Sequence, residues 1–96
     1  MPKSQHEPAY RPVPPFLRQL RERAGLTQRA LGQRLRRPQS WVYNCETANR
    51  RVDVAEFALW CGACDVEPTE ALAELLAARA STSRTGAPSK RRRANR

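Results

Sequence analysis

The sequence predicts an all-α chain of five short helices, and three observations carry that prediction. Apolar residues recur at spacings of three and four, with no run of strand-like alternation. Residues suited to helix starts (Thr27, Asp53, Pro68) stand just ahead of those apolar runs. Gly25 and Pro38 punctuate the intervals between them. At 96 residues the chain holds one small domain with tails.

The elements follow in order. Residues 1–14 contain four prolines (Pro2, Pro8, Pro12, Pro14) and read as an irregular leader. Pro14-Pro15 suits a helix entry, after which Phe16, Leu17, Leu20 and Ala24 repeat at helical spacing and Gly25 is a natural stop. Thr27 caps a second helix with Leu31 and Leu35 four apart on its inner face. Pro38 restrains Arg37 to an extended conformation, and a third helix is expected from about Gln39 to Thr47. Its buried pair is Val42 and Cys45. Asp53-Val-Ala-Glu56 resembles a capping box opening a fourth helix, with Val54, Phe57, Ala58, Cys61 and Cys64 expected inside. Pro68 opens a fifth helix carrying the stripe Leu72, Leu75 and Leu76. Residues 81–96 hold no apolar side chain larger than alanine or proline and no acid, so they are expected to be a disordered basic tail. The domain is therefore expected at residues 15–80.

Charge narrows the function. Eighteen basic residues face nine acidic ones, a net charge of +9, and only Lys3 and Lys90 are lysines. That balance points to a polyanionic partner. Six of the excess charges lie in residues 81–96. The rest is polarised: Arg18 to Arg51 carry a balance of +7, and Asp53 to Arg79 one of −5. A nucleic-acid face and a separate protein-contact face would produce that split. No run of about 18 apolar residues exists, so no membrane-spanning helix and no membrane partner are expected. The N-terminus lacks the apolar stretch of a signal peptide, which implies a cytoplasmic chain. One histidine and few carboxylates leave little from which to build a catalytic centre, and neither enzyme activity nor a cofactor is expected.

The second and third helices, joined by a tight turn, form a helix-turn-helix unit. On the third helix Ser40, Tyr43, Asn44 and Thr47 fall opposite the buried pair. A short surface helix usually displays charges there; this one displays uncharged hydrogen-bonding groups, which match base edges without desolvating an ion. Gln39 lies in the first turn, the part of such a helix that reaches deepest into a major groove.

The stretch from Leu17 to Leu72 resembles the Cro/Xre-type helix-turn-helix family of phage and bacterial transcription regulators. The matching pieces are Gly25-Leu26-Thr27-Gln28, Leu31-Gly32, Pro38-Gln39-Ser40-Trp41-Val42, Glu46, Arg50-Arg51-Val52-Asp53-Val54, Glu56-Phe57 and Val66-Glu67-Pro68. The resemblance implies a five-helix, lambda-repressor-like domain that binds double-stranded DNA as a two-fold homodimer. It implies base reading by Gln39, Ser40 and Asn44, with Tyr43 adjacent. It gives Gln28 a phosphate contact and the bracing of Gln39, and it places Asn49, Arg50 and Arg51 in a loop touching backbone phosphate. Glu46 matches a structural acid whose partner is Arg18 or Arg21. Glycine often stands where this chain has Arg36 and Asp65, so left-handed backbone there would be strained.

Other features admit two readings each. Trp41 could stack on single strands, but packing between helices with its N–H on a phosphate is favoured. Trp60 suits the dimer contact or the core equally. Leu72, Leu75 and Leu76 suit the dimer contact, the core or both. Cys61-Gly-Ala-Cys64 spells CxxC, yet no second ligand pair exists for a metal, so core packing is expected. The Lys90–Arg93 run reads as a nonspecific DNA arm. The expected function is a small DNA-binding regulator, most simply a repressor on an inverted repeat. The alternatives are an antitoxin-type protein-interaction module and a nonspecific architectural binder.

Overall fold

The computed structural model describes residues 7–83, with five helices and no strand among them. They are α1 (Val13–Arg23), α2 (Gln28–Leu35), α3 (Gln39–Glu46), α4 (Val54–Ala63) and α5 (Pro68–Ser83). Residues 1–6 of the expected leader and 84–96 of the expected tail lie outside the described residues.

The local signals act as expected. The Thr27 hydroxyl accepts from the Ala30 N–H at 3.0 Å. Asp53 and Glu56 form a full capping box: the Glu56 N–H donates to the Asp53 carboxylate at 2.7 Å and the Asp53 N–H to Glu56 at 2.9 Å. Gly25 turns the chain with φ +74. Gly32 serves a different need, because a Cβ there would meet the Arg37 carbonyl oxygen at 2.7 Å. The α2–α3 turn therefore closes tightly only on glycine. Arg36 and Asp65 do adopt left-handed backbone, with φ 58 and 60, and so does Ala48, at φ 65, which the sequence reading missed.

The core gathers Phe16, Leu17 and Leu20 of α1, Leu31 of α2, Val42 and Cys45 of α3, Trp60 and Cys61 of α4, then Cys64 and, from α5, Ala71 and Leu75. Three expectations need correction. The first concerns the leader. α1 begins at Val13, not Pro15, and a hydrogen-bonded turn precedes it. Tyr10 is buried, and its hydroxyl accepts from the Val52 N–H at 2.8 Å. Residues 7–14 thus belong to the packed body, because one aromatic ring with a satisfied hydroxyl is enough to dock them.

The second correction concerns α4. Val54 and Ala58 are exposed, and the inward face is Phe57, Trp60, Cys61 and then Cys64. Apart from Glu56 the helix is apolar or small on every side, so its sequence could not say which side faces in. Trp60 is fully buried, with its indole N–H donating to the Leu17 carbonyl at 3.1 Å, so it is a core residue and not a dimer contact. The third concerns α5. Leu75 joins the core and is not a surface contact, whereas Leu72 and Leu76 stay 45% and 46% exposed. The helix also runs on through Ser83, into the segment expected as tail.

Candidate nucleic-acid interface

The site is built on α3, whose two sides have opposite characters. Val42, Cys45 and Glu46 are buried, while Gln39, Ser40, Tyr43 and Thr47 are exposed and Asn44 is half-buried. The exposed groups are uncharged donors and acceptors, as the helical period requires.

A hydrogen-bond relay fixes the first of them. Arg21 on α1 donates to both carboxylate oxygens of Glu46, at 2.6 and 3.1 Å, and to the Leu26 carbonyl at 2.8 Å. Of the two candidate partners for Glu46, the structure therefore selects Arg21; Arg18 pairs with Glu22 at 3.0 Å. The Gln28 amide donates to Glu46 at 3.0 Å, and the Gln39 amide donates to the Gln28 carbonyl oxygen at 2.7 Å. The relay starts from a carboxylate side chain only 2% exposed and ends at an exposed glutamine. The bond that Arg21 donates to Glu46 also raises the pKa of Arg21, so the charged form at the root of the relay is secured. The rotamer of Gln39 is thus set before any partner arrives, with its carbonyl oxygen and second N–H unspent in the relay.

A second cluster surrounds Trp41. The indole is half-buried, its ring centroid 6.2 Å from that of Trp60. Two guanidinium groups lie over it, Arg37 at 5.0 Å and Arg50 at 4.9 Å. Arg50 also donates to both oxygens of Glu56, at 3.2 and 3.3 Å. The Asp53 N–H and Arg50 together hold the Glu56 carboxyl below its ordinary pKa, against the opposing effect of burial.

The remaining candidates occupy the α3–α4 loop. The Asn49 and Arg50 N–H groups donate to the Asn44 carbonyl at 2.9 and 3.2 Å, and the Asn49 side chain donates to Thr47 at 2.9 Å. Arg51 lies over the Tyr10 ring at 5.0 Å, with Glu7 at 3.9 Å. The structure therefore gathers Gln28, Gln39 and Glu46 into one unit, and Trp41 and Arg50 into another. Sequence reasoning missed Glu56 as the partner of Arg50 and Arg37 as the partner of Trp41. The second had a signal, four-residue spacing across the turn; the first, six residues apart through a loop, had none.

Burial pushes the thiols of Cys61 and Cys64 up to about 11, so both stay neutral and packed. Among the described residues no three of His, Cys, Asp and Glu come together as a metal-binding group. Nor is any described helix long and apolar enough to cross a membrane.

Comparisons with known proteins agree with this geometry. Residues 16–81 match the family described as helix-turn-helix domain. A solved XRE-family like protein from Pseudomonas syringae pv. tomato str. DC3000 is 40% identical, with 73% of this chain and 85% of that one covered and a TM-score of 0.67. The clp gene regulator ClgR from Corynebacterium glutamicum shares the fold at TM-score 0.67 and 22% identity, covering 75% of this chain and 77% of that one. No curated protein matches the sequence. With its five-helix body, its preset α3 glutamine and these relatives, the chain belongs to the Cro/Xre-type helix-turn-helix family of DNA-binding transcriptional regulators.

Proposed function

We propose that this regulator is a small repressor, without enzymatic activity, that binds an inverted-repeat operator as a homodimer. The observation that carries the reading is the relay from Arg21 through Glu46 and Gln28 to Gln39, since an exposed glutamine is worth presetting only if its orientation is used. Gln39 would form a bidentate pair with adenine, Ser40 and Asn44 would read neighbouring base edges, and Tyr43 would contact the groove wall. Gln28, Asn49 and Arg51 would contact phosphate, with the six charges of residues 84–96 adding nonspecific affinity. Repression would be steric, through occupation of a promoter.

The dimer reading now rests on Leu72 and Leu76. Both side chains are exposed, and Leu72 lines an apolar groove with Tyr10, Val13, Val54 and Phe57. Operator binding would require these surfaces to pair about a two-fold axis so that the two α3 helices reach successive major grooves, about 34 Å apart. A protein-interaction role of the antitoxin kind has one observation of its own. Leu59, 63% exposed, sits in a second shallow groove with Leu35, Ala58, Gly62 and Ala63, flanked by Arg34 and Arg36.

Selection from random duplex DNA at two salt concentrations tests the proposal. An enriched inverted repeat is the expected outcome, and Gln39→Ala should then lose about 1–3 kcal/mol on that site and little on unrelated DNA. Salt-sensitive binding with no enriched sequence would replace it with the architectural reading. Leu72→Glu combined with Leu76→Glu should leave the fold intact and give a monomer by sedimentation equilibrium.

A further inference from the structure

We infer that Arg37, laid on Trp41 at the entrance to α3, is a phosphate-binding residue of the DNA interface, and that Arg50 is a positioning residue rather than a contact. This rests on the reading of α3 as the helix that enters the groove.

Both guanidinium groups lie over the same indole, at 5.0 and 4.9 Å, yet their remaining partners differ. Arg50 is neutralised. It makes two hydrogen bonds to Glu56, a third contact at 3.8 Å to the Cys45 sulfur, and it keeps only 35% of its side chain exposed. Glu56 is itself fixed, because the same carboxylate closes the capping box of α4 through the Asp53 N–H. A phosphate would have to compete with Glu56 for Arg50, whose charge this bidentate pair already balances.

Arg37 stands in the opposite condition. Its backbone N–H donates to the Gly32 carbonyl at 2.8 Å, but among the described residues its guanidinium makes no hydrogen bond and no ion pair; it rests on the Trp41 ring, with Glu56 near enough only to act through its charge. A cation over an aromatic face is held by the ring quadrupole, an attraction that consumes none of its N–H donors. The guanidinium is thereby restrained while its donors remain unspent, the arrangement that favours bidentate capture of a phosphate. Pro38 follows directly, and Gln39 begins α3, so Arg37 stands two residues ahead of the first proposed base reader. Trp41 joins the two arginines: Arg50 and Trp60 fix the indole, and the indole presents Arg37.

The test is the salt dependence of duplex binding by the full chain, measured on its selected duplex and on an unrelated one. Each phosphate neutralised contributes about 0.9 to the slope of log affinity against log salt. Arg37→Gln should lower that slope by about one and weaken both duplexes roughly tenfold. Arg37→Lys should restore the slope. Trp41→Leu, which keeps the charge but removes its platform, should weaken binding with the slope retained. Arg50→Gln should leave the slope unchanged, whatever it does to the melting temperature followed by circular dichroism. An unchanged slope for Arg37→Gln in a folded variant that binds DNA would overturn the inference alone. A slope lowered by about one for Arg50→Gln would reverse the two roles. A wild-type chain that prefers no sequence would instead undo the operator reading and leave the Arg37 result to stand or fall by its own slope.

Discussion

Two arginines spaced by one residue on α1 reach carboxylates on later helices, in contrasting surroundings. Arg21 meets Glu46 of α3 with side chains 11% and 2% exposed, and Gln28 joins the same carboxylate. Arg23 meets Glu74 of α5 at 2.5 Å with side chains 51% and 48% exposed. The shorter distance belongs to the less consequential pair. In water both charges of the Arg23 pair are solvated whether or not they meet, and salt screens what attraction is left. At Glu46 the carboxylate has been taken out of water, so every hydrogen bond it accepts becomes necessary. The contrast extends to the two ends of the molecule: the α1–α3 region commits its polar groups to one another around α3, whereas α4 and α5 turn Val54, Leu59, Leu72 and Leu76 to solvent.

Glu46→Ala should break the domain at its most consequential polar group. Leaving Arg21 without its partner costs about 3–5 kcal/mol. Urea unfolding measures that loss, and a fall below about 1 kcal/mol would place the pair with ordinary surface bridges. Gly32→Ala comes next. The new methyl would meet a backbone oxygen at 2.7 Å, and no side-chain rotation relieves it. A cost of about 1–3 kcal/mol should outweigh the gain of up to about 1 kcal/mol in helix propensity. Ala48→Gly should act in the stabilising direction, by up to about 1 kcal/mol, because φ 65 penalises a Cβ. A rise in the urea midpoint checks it.

Acid titration sharpens the same contrast. The Glu56 carboxyl is held below its ordinary value of 4.5 in the folded chain, so its contribution is complete above that value and is lost as pH falls below it. Glu56→Gln should therefore flatten the acid limb of the stability curve, read by circular dichroism. The smallest effect belongs to Glu74→Gln. The Arg23 bond lowers the pKa of Glu74, yet the carboxylate stands in open solvent, so no resolvable change in the urea midpoint is expected at physiological salt.

Much of this is legible in the sequence. Thr27, Asp53 with Glu56, and Pro68 announced three helix starts, because caps are satisfied within three or four residues of where they stand. Gln28 and Gln39 were legible as a braced pair through the family resemblance. Trp60 was not assignable, since α4 is apolar nearly all round and either face would have served as the inner one. Tyr10 was hidden among prolines, and Ala48 carries none of the residue preferences that mark a left-handed turn.

The sequence alone determined the helices, their order, the polar outward side of α3 and the division between a basic first half and an acidic second half. These follow from helical periodicity, capping and composition, which operate over a few neighbouring residues. Tertiary structure decided which arginines are committed and which remain available. Arg21 finds Glu46 across 25 residues, Arg50 finds Glu56 around a loop, and Arg37 is left to Trp41. Eight arginines and two acids between residues 21 and 51, by their spacing alone, could pair in many ways. Burial selects among them, because a carboxylate withdrawn from water must be matched by whichever donor the packed helices bring within reach.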